Sequence, residues 1–145
     1  RDGGFYKLPY GWQSDDITAF IAAASHGMAN TQEVGFQYRG NGQSISHDLS
    51  CIEDKIEAVR TSVTWRKNFI ASQHADNPED SRLAELIKQD VAKYEQREVD
   101  DMVEFDIRKK FFSRSCFWFY ARKKHNISFS RYIRCTLKAI KNRFI

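Results

Sequence analysis

No stretch of this chain approaches the run of about 18 apolar residues that a membrane-crossing helix requires, so none of it reads as a spanning segment. Cysteine is scarce. Cys51, Cys116 and Cys135 are odd in number and far apart, and no Cys-x-x-Cys pair occurs. Reduced, packed thiols of a cytosolic protein are the reading this supports. The four histidines, His26, His47, His74 and His125, lack metal-ligand spacing. No signal peptide, internal repeat or low-complexity linker is visible.

What is present suits helices. A chain of 145 residues can bury a real core. Its 41% apolar and 29% charged content fits helices that each bury one stripe. The net charge of +4 conceals a strong asymmetry. Residues 1–102 carry 11 Lys and Arg against 17 Asp and Glu, whereas residues 103–145 carry 12 against 2. A basic end of that size implies an anionic partner or surface.

Periodicity places the elements. Ile17, Phe20, Ile21 and Ala24 share one helical face, with Ser14 as N-cap, acids in the first turn and Gly27 at the C′ position. Alternating Val34, Phe36 and Tyr38 predict a short strand over 33–39, closed by Gly40-Asn41-Gly42. Ser50-x-x-Glu53 reads as a capping box for a helix over 50–72, with Ile52, Ile56, Val59, Val63 and Ile70 on one face. Asn77-Pro78-Glu79-Asp80 starts another helix, carried on by Leu83, Leu86, Ile87, Val91 and Tyr94; the pattern then either runs on past Val99, Val103 and Phe111 or breaks near residues 95–101, where it is mostly charged. After a break at Asn126-Ile127-Ser128, a final stripe runs through Phe129, Ile133, Leu137, Ile140 and Phe144. The segment 73–77 divides residues 1–73 from a helical, basic tail over 77–145.

The densest chemistry lies at the start. Gly3-Gly4-Phe5-Tyr6 leads through Leu8-Pro9-Tyr10-Gly11-Trp12-Gln13-Ser14 to the adjacent carboxylates Asp15 and Asp16. Acids here can simply cap a helix and match its dipole. Three glycines and a tryptophan exceed what a cap needs, because glycines permit close approach of something else to the backbone. An indole face can cover a sugar ring, and a carboxylate at a helix start can take a proton from a bound hydroxyl.

The order Gly-Gly-Phe, short loop, acid-Asp pair and helix resembles the C-terminal half of the catalytic domain of family 2 glycosyltransferases of the GT-A fold. The closer similarity is to bacterial members reading roughly Leu-Pro-x-Gly-Trp-x-Ser-Asp-Asp. These continue with a helix, a Gly turn, a strand ending in a Tyr-x-Arg type motif and a Lys-bearing helix. Val34 to Arg39, Gly40 to Ser46 and Asp54-Lys55 occupy the matching places, so the likeness covers residues 1 to about 73.

The resemblance implies a mainly α chain with a short β element: the C-terminal fragment of an α/β GT-A glycosyltransferase domain plus a helical tail. It implies Asp16 as the base that deprotonates the acceptor, with Asp15 orienting the acceptor or supporting the loop. Trp12, Gln13 and Ser14 would contact the sugar, and Tyr38 and Arg39 would face the sugar or a diphosphate. His47 sits where some such enzymes place a metal-binding histidine, though a solvent-exposed loop His fits its spacing better. The donor pocket and the Asp-x-Asp site for Mg or Mn would lie mainly outside these residues. The chain opens at Arg1 without Met, within a motif, and reads as a fragment inactive by itself. The intact protein would transfer a sugar from a nucleotide-sugar to a saccharide or lipid-linked acceptor in bacterial surface polysaccharide biosynthesis.

The block Phe111 to Lys124 interleaves aromatics with Arg and Lys. It suits a packed aromatic core, a nucleic-acid surface, or an interfacial membrane anchor in which Trp118 and the phenylalanines insert. Arg131, Arg134, Lys138 and Lys141 lie largely off the final stripe, which favours an anionic membrane surface for residues 111–145. This places the protein in the cytoplasm, peripheral on the inner face of the plasma membrane. Two other classes remain open: a helical nucleic-acid-binding module using the basic end, and a protein-interaction module using the long helix over 78–110.

Overall fold

The orphan amides of a helix's first turn need polar partners, and Asn77 before α3 and Ser128 before α5 supply them from their side chains. The computed structural model describes residues 6–8, 11–26, 51–73 and 77–143. Five helices result: α1 (Ser14–His26), α2 (Ile52–Ser72), α3 (Pro78–Lys109), α4 (Phe111–Ala121) and α5 (Phe129–Arg143). They fall into two compact units, Arg1–His74 and Ala75–Ile145. Among the described residues there is no strand, and no helix is long and apolar enough to cross a membrane.

This corrects the expected fold class. The described residues form a helical protein of five helices, not an α/β GT-A fragment with a β element. Local alternation at Val34, Phe36 and Tyr38 carried the strand reading. A two-residue period over so few positions gives no information on a pairing partner, which a strand requires. The segment 33–39 itself, the Gly27 stop, the Gly40–Gly42 turn and His47 lie outside the described residues.

In the first unit, Ile17 of α1 is fully buried, while Ile21 is exposed. Phe20 meets Trp65 and Phe69 of α2 edge-on, at centroid distances of 6.2 and 5.6 Å. Trp65 and Phe69, one turn apart, stack at 5.1 Å. Ile52, Ile56, Val59, Val63 and Ile70 are all buried. The N-cap of α2 is Cys51, one residue beyond the expected Ser50, and it makes no side-chain capping bond.

In the second unit, Asn77 caps α3 by accepting from the Asp80 amide at 2.9 Å, with Pro78 in the first turn. This helix continues unbroken through residues 95–101, where a charged stretch suggested an interruption. The charges there serve the partner helix. Asp100 pairs with Arg131 of α5 at 2.7 Å, and Asp101 with Lys138 at 2.7 Å. Val91, Val99, Val103 and Ile107 form the buried stripe of α3, whereas Leu83, Leu86 and Ile87 are exposed.

A break at Lys110 turns the chain into α4, and a buried carboxylate holds that corner. Asp106 accepts from Trp118 Nε1 at 2.8 Å and from Arg114 Nε at 2.6 Å. Trp118 is fully buried, with His125 edge-on against it at 5.5 Å. The anchor role expected for Trp118 is thereby corrected: it is core. After Asn126, at φ +51°, Ser128 Oγ accepts from the Arg131 amide and starts α5. Tyr132, Cys135 and Ala139 of α5 are buried, and the Tyr132 hydroxyl donates to the Ser115 carbonyl of α4.

Replacing Asp106 with Ala strands the buried Trp118 N–H, which should cost about 1–3 kcal/mol in a urea titration. Asp101→Ala, which removes a half-exposed ion pair, should cost no more than about 1 kcal/mol. Equal losses would show that Asp106 does not hold the corner.

A second expectation comes from Cys135. Its thiol donates to the Asp100 carbonyl at 3.5 Å, and burial, reinforced by Asp100, pushes its pKa up from 9.0 to about 12. The folded state therefore favours the neutral thiol. The stabilisation is fully present below pH 9 and is lost as pH rises from 9 towards 12. Urea midpoints at pH 8 and pH 10.5 should differ, and Cys135→Ala should narrow the difference. An unchanged difference would refute the assignment.

Candidate functional site

The site is built where a short loop turns into α1. Gly11 and Gln13 both take left-handed backbone, at φ +68° and +67°. Glycine adopts this freely, whereas Gln13 does so at a cost. The Gly11 amide donates to the Leu8 carbonyl at 3.0 Å, closing a tight turn. The Gln13 carbonyl accepts from the Ile17 amide at 3.2 Å, so Gln13 stands in the capping position expected for Ser14. Ser14 has moved inside the helix and is buried. Its hydroxyl accepts from the Leu8 amide at 3.3 Å and ties the loop down. One turn on, Thr18 Oγ1 accepts from the Tyr6 amide at 3.3 Å and donates to the Ser14 carbonyl. Two helix hydroxyls thus hold the loop against the first turn.

This fold-back leaves a shallow cavity, largely open to solvent, of about 590 Å³ lined by Tyr6, Lys7, Leu8, Gly11, Ser14 and Asp15. Of the two expected acids, Asp15 lines this cavity. Its Oδ1 also accepts from the Asp16 amide at 3.0 Å. Asp16, half exposed, meets Arg66 of α2 at 3.5 Å. The same guanidinium donates to Gln13 Oε1 at 3.3 Å. Arg66 therefore joins the strained residue before the helix to the second carboxylate.

Trp12 is not part of the cavity wall. The Lys55 ammonium lies 4.7 Å from the centroid of its ring, and Lys55 itself is buried. Protein thus occupies an indole face that was expected to receive a sugar. Trp12 Nε1 is buried with no hydrogen-bond partner among the described residues. Tyr6, whose ring tilts against Trp65 at 5.8 Å, is the aromatic at the cavity instead. The structure thus brings together Gln13, Ser14, Asp15 and Asp16, and sets the Trp12 ring against Lys55 rather than on the cavity. Tyr38 and Arg39 lie outside the described residues.

Arg66 is the residue that sequence reasoning missed, and Lys55, matched there to the Lys-bearing helix, was given no contact with Trp12. Their signal was legible. Arg66 falls between Val63 and Ile70 on the apolar stripe of α2, and Lys55 falls between Ile52 and Val59. A cation at a core position needs a partner.

Among the described residues no three His, Cys, Asp or Glu side chains gather as a metal site. The Asp15–Asp16 pair is a poor cradle for a divalent ion, because Asp16 already faces the Arg66 cation. No role for Mg or Mn follows from these residues. Comparison with family models, with curated proteins and with solved structures finds no match for this chain.

The left-handed turn is testable by itself. A methyl at Gly11 would meet no atom within 4 Å, so any penalty comes from its backbone conformation. Gly11→Ala should lower stability by about 1–2 kcal/mol, measured by urea unfolding. A neutral result would mean that the turn relaxes to negative φ.

Proposed function

We propose that the first unit is the acceptor-side part of a nucleotide-sugar-dependent glycosyltransferase. The observation that carries this reading is the fold-back of the loop onto the start of α1. It sets Asp15 on a cavity wall beside an Asp16 held by Arg66. A saccharide fits such a cavity through its hydroxyls, which Asp15 and Ser14 can accept from and which Lys7 can donate to. The likeness of the Gly-Gly-Phe to Ser-Asp-Asp series to family 2 glycosyltransferases supports the same reading.

In the proposed reaction the acceptor hydroxyl gives its proton to Asp16 as its oxygen attacks the anomeric carbon of the donor. The bond from that carbon to the nucleotide diphosphate breaks, and the diphosphate leaves with the electron pair. The base stands on the face opposite the leaving group, as in inverting glycosidases, with a sugar hydroxyl in place of water. Asp15 orients the acceptor. Arg66, which also donates to Gln13 Oε1, holds the Asp16 carboxylate towards α2 and orients it for proton transfer.

The test is turnover of nucleotide-sugars by the full-length protein that carries this segment. Asp16→Asn should lower kcat by about 10²–10⁴ while leaving donor Kd unchanged. Asp15→Asn keeps an oxygen for the Asp16 amide and should act mainly on acceptor KM. The reverse pattern would exchange the two roles. Normal turnover in both variants would leave the pair as a helix cap and sink the proposal.

A further inference from the structure

α5 carries two apolar stripes. Tyr132, Cys135 and Ala139 form one and are buried, in the helix that packs most closely on α3. Phe129, Ile133, Leu137 and Ile140 form the other, at the i, i+4, i+8, i+11 spacing of a single face. All four are exposed, Leu137 at 62%. The sequence periodicity had marked this second stripe, and the structure leaves it uncovered.

The stripe does not end with the helix. Phe129 meets Phe119 of α4 edge-on at 6.5 Å, and Phe119 is itself exposed. Phe112 and Tyr120, also on α4, are 85% and 73% exposed. Arg122 lies 4.6 Å from the Phe119 ring centroid and 5.5 Å from that of Phe129, a cation at the seam. On a helix of 3.6 residues per turn, Arg134 and Lys141 fall along one side of the α5 stripe and Arg143 along the other. All three are exposed. Residues 111–145 hold nine Lys and Arg and no Asp or Glu.

We propose that this face docks on an anionic phospholipid surface. The flanking charges decide among occupants. A second copy meeting this face with its own would set cations against cations. A nucleic acid would satisfy the cations, but Ile133, Leu137 and Ile140 offer no ring for a base to stack on. A bilayer interface satisfies both requirements: aliphatic and aromatic side chains enter the acyl boundary while Arg and Lys reach lipid phosphates. Attraction falls as salt screens it over about 10 Å at 0.1 M. The inference rests on the second unit alone and stands or falls independently of the sugar-transfer reading.

The test is co-sedimentation of the full chain with vesicles of phosphatidylcholine, with and without phosphatidylglycerol. Binding should require the anionic lipid and weaken with added salt. Leu137→Glu and Ile133→Glu, on the outer stripe, should each lower partitioning about tenfold or more while leaving the helical circular dichroism spectrum intact. Arg134→Glu with Lys141→Glu should do the same through charge. Equal binding to neutral vesicles, or none to either kind, would overturn the proposal. So would tighter binding to poly(U) RNA that survives Leu137→Glu. A dimer in sedimentation velocity that Leu137→Glu dissolves would assign the stripe to self-association instead and overturn it as well.

Discussion

Of the two buried carboxylates of α3, Glu104 and Asp106, the second sets the geometry of the corner into α4. Asp106 sits near the end of α3 with only 2% of its surface exposed. A charge so placed requires partners, and both come from the next helix: the Trp118 indole N–H and the Arg114 guanidinium. To supply them, α4 has to fold back at Lys110 rather than prolong α3. Once Trp118 is seated, His125 closes on it and the turn through Asn126 brings α5 against both earlier helices. The acids on α3 then meet α5 in succession: Asp100 with Arg131, Asp101 with Lys138, and Glu104 with Asn142. The charged stretch that read as a helix interruption is the seam of a helical pair.

That arrangement explains why one apolar face of α5 stays outside. α3 has few apolar positions in its second half, and they accept one stripe from α5. The stripe taken is the smaller one, Tyr132, Cys135 and Ala139, because Ala139 and Cys135 allow close approach to α3 while Arg131 and Lys138 reach the acids beside it. The larger stripe, with Phe129, Ile133, Leu137 and Ile140, faces away. Hydrophobic periodicity alone identifies an amphipathic helix. It does not say which of two apolar faces the rest of the fold will cover.

The parts legible in the sequence were those governed by local chemistry. Asn77-Pro78-Glu79-Asp80 marked the start of α3 to the residue, and the Ile52-to-Ile70 stripe marked the buried face of α2. What failed depended on partners distant in sequence. Trp118 looked like an interfacial residue among its basic neighbours, since nothing near it announced that Asp106 would receive its N–H. Trp12 was read as a sugar platform without the Lys55 ammonium, which α2 brings to 4.7 Å from its ring centroid. At Ser14 the local rule competed with a tertiary contact. A cap was expected, but the Leu8 amide claimed the hydroxyl and pushed the capping position back to Gln13, at the cost of a left-handed backbone.

The strain at Gln13 acquires meaning through Arg66. A non-glycine residue in left-handed backbone persists when its surroundings hold it there. Here the Arg66 guanidinium holds the Gln13 side chain and the Asp16 carboxylate together, while Ser14 and Thr18 fasten the loop from below. Arg66 is in turn fixed by its place on the buried stripe of α2, with only 13% of its side chain exposed. Asp16 therefore makes a contact beyond the first turn of its own helix. Dipole matching would need neither the strained residue nor the cation drawn from another helix. The proposed proton transfer would draw on this placement: a half-exposed carboxylate 3.5 Å from a cation of another helix, beside a cavity lined by its neighbour Asp15.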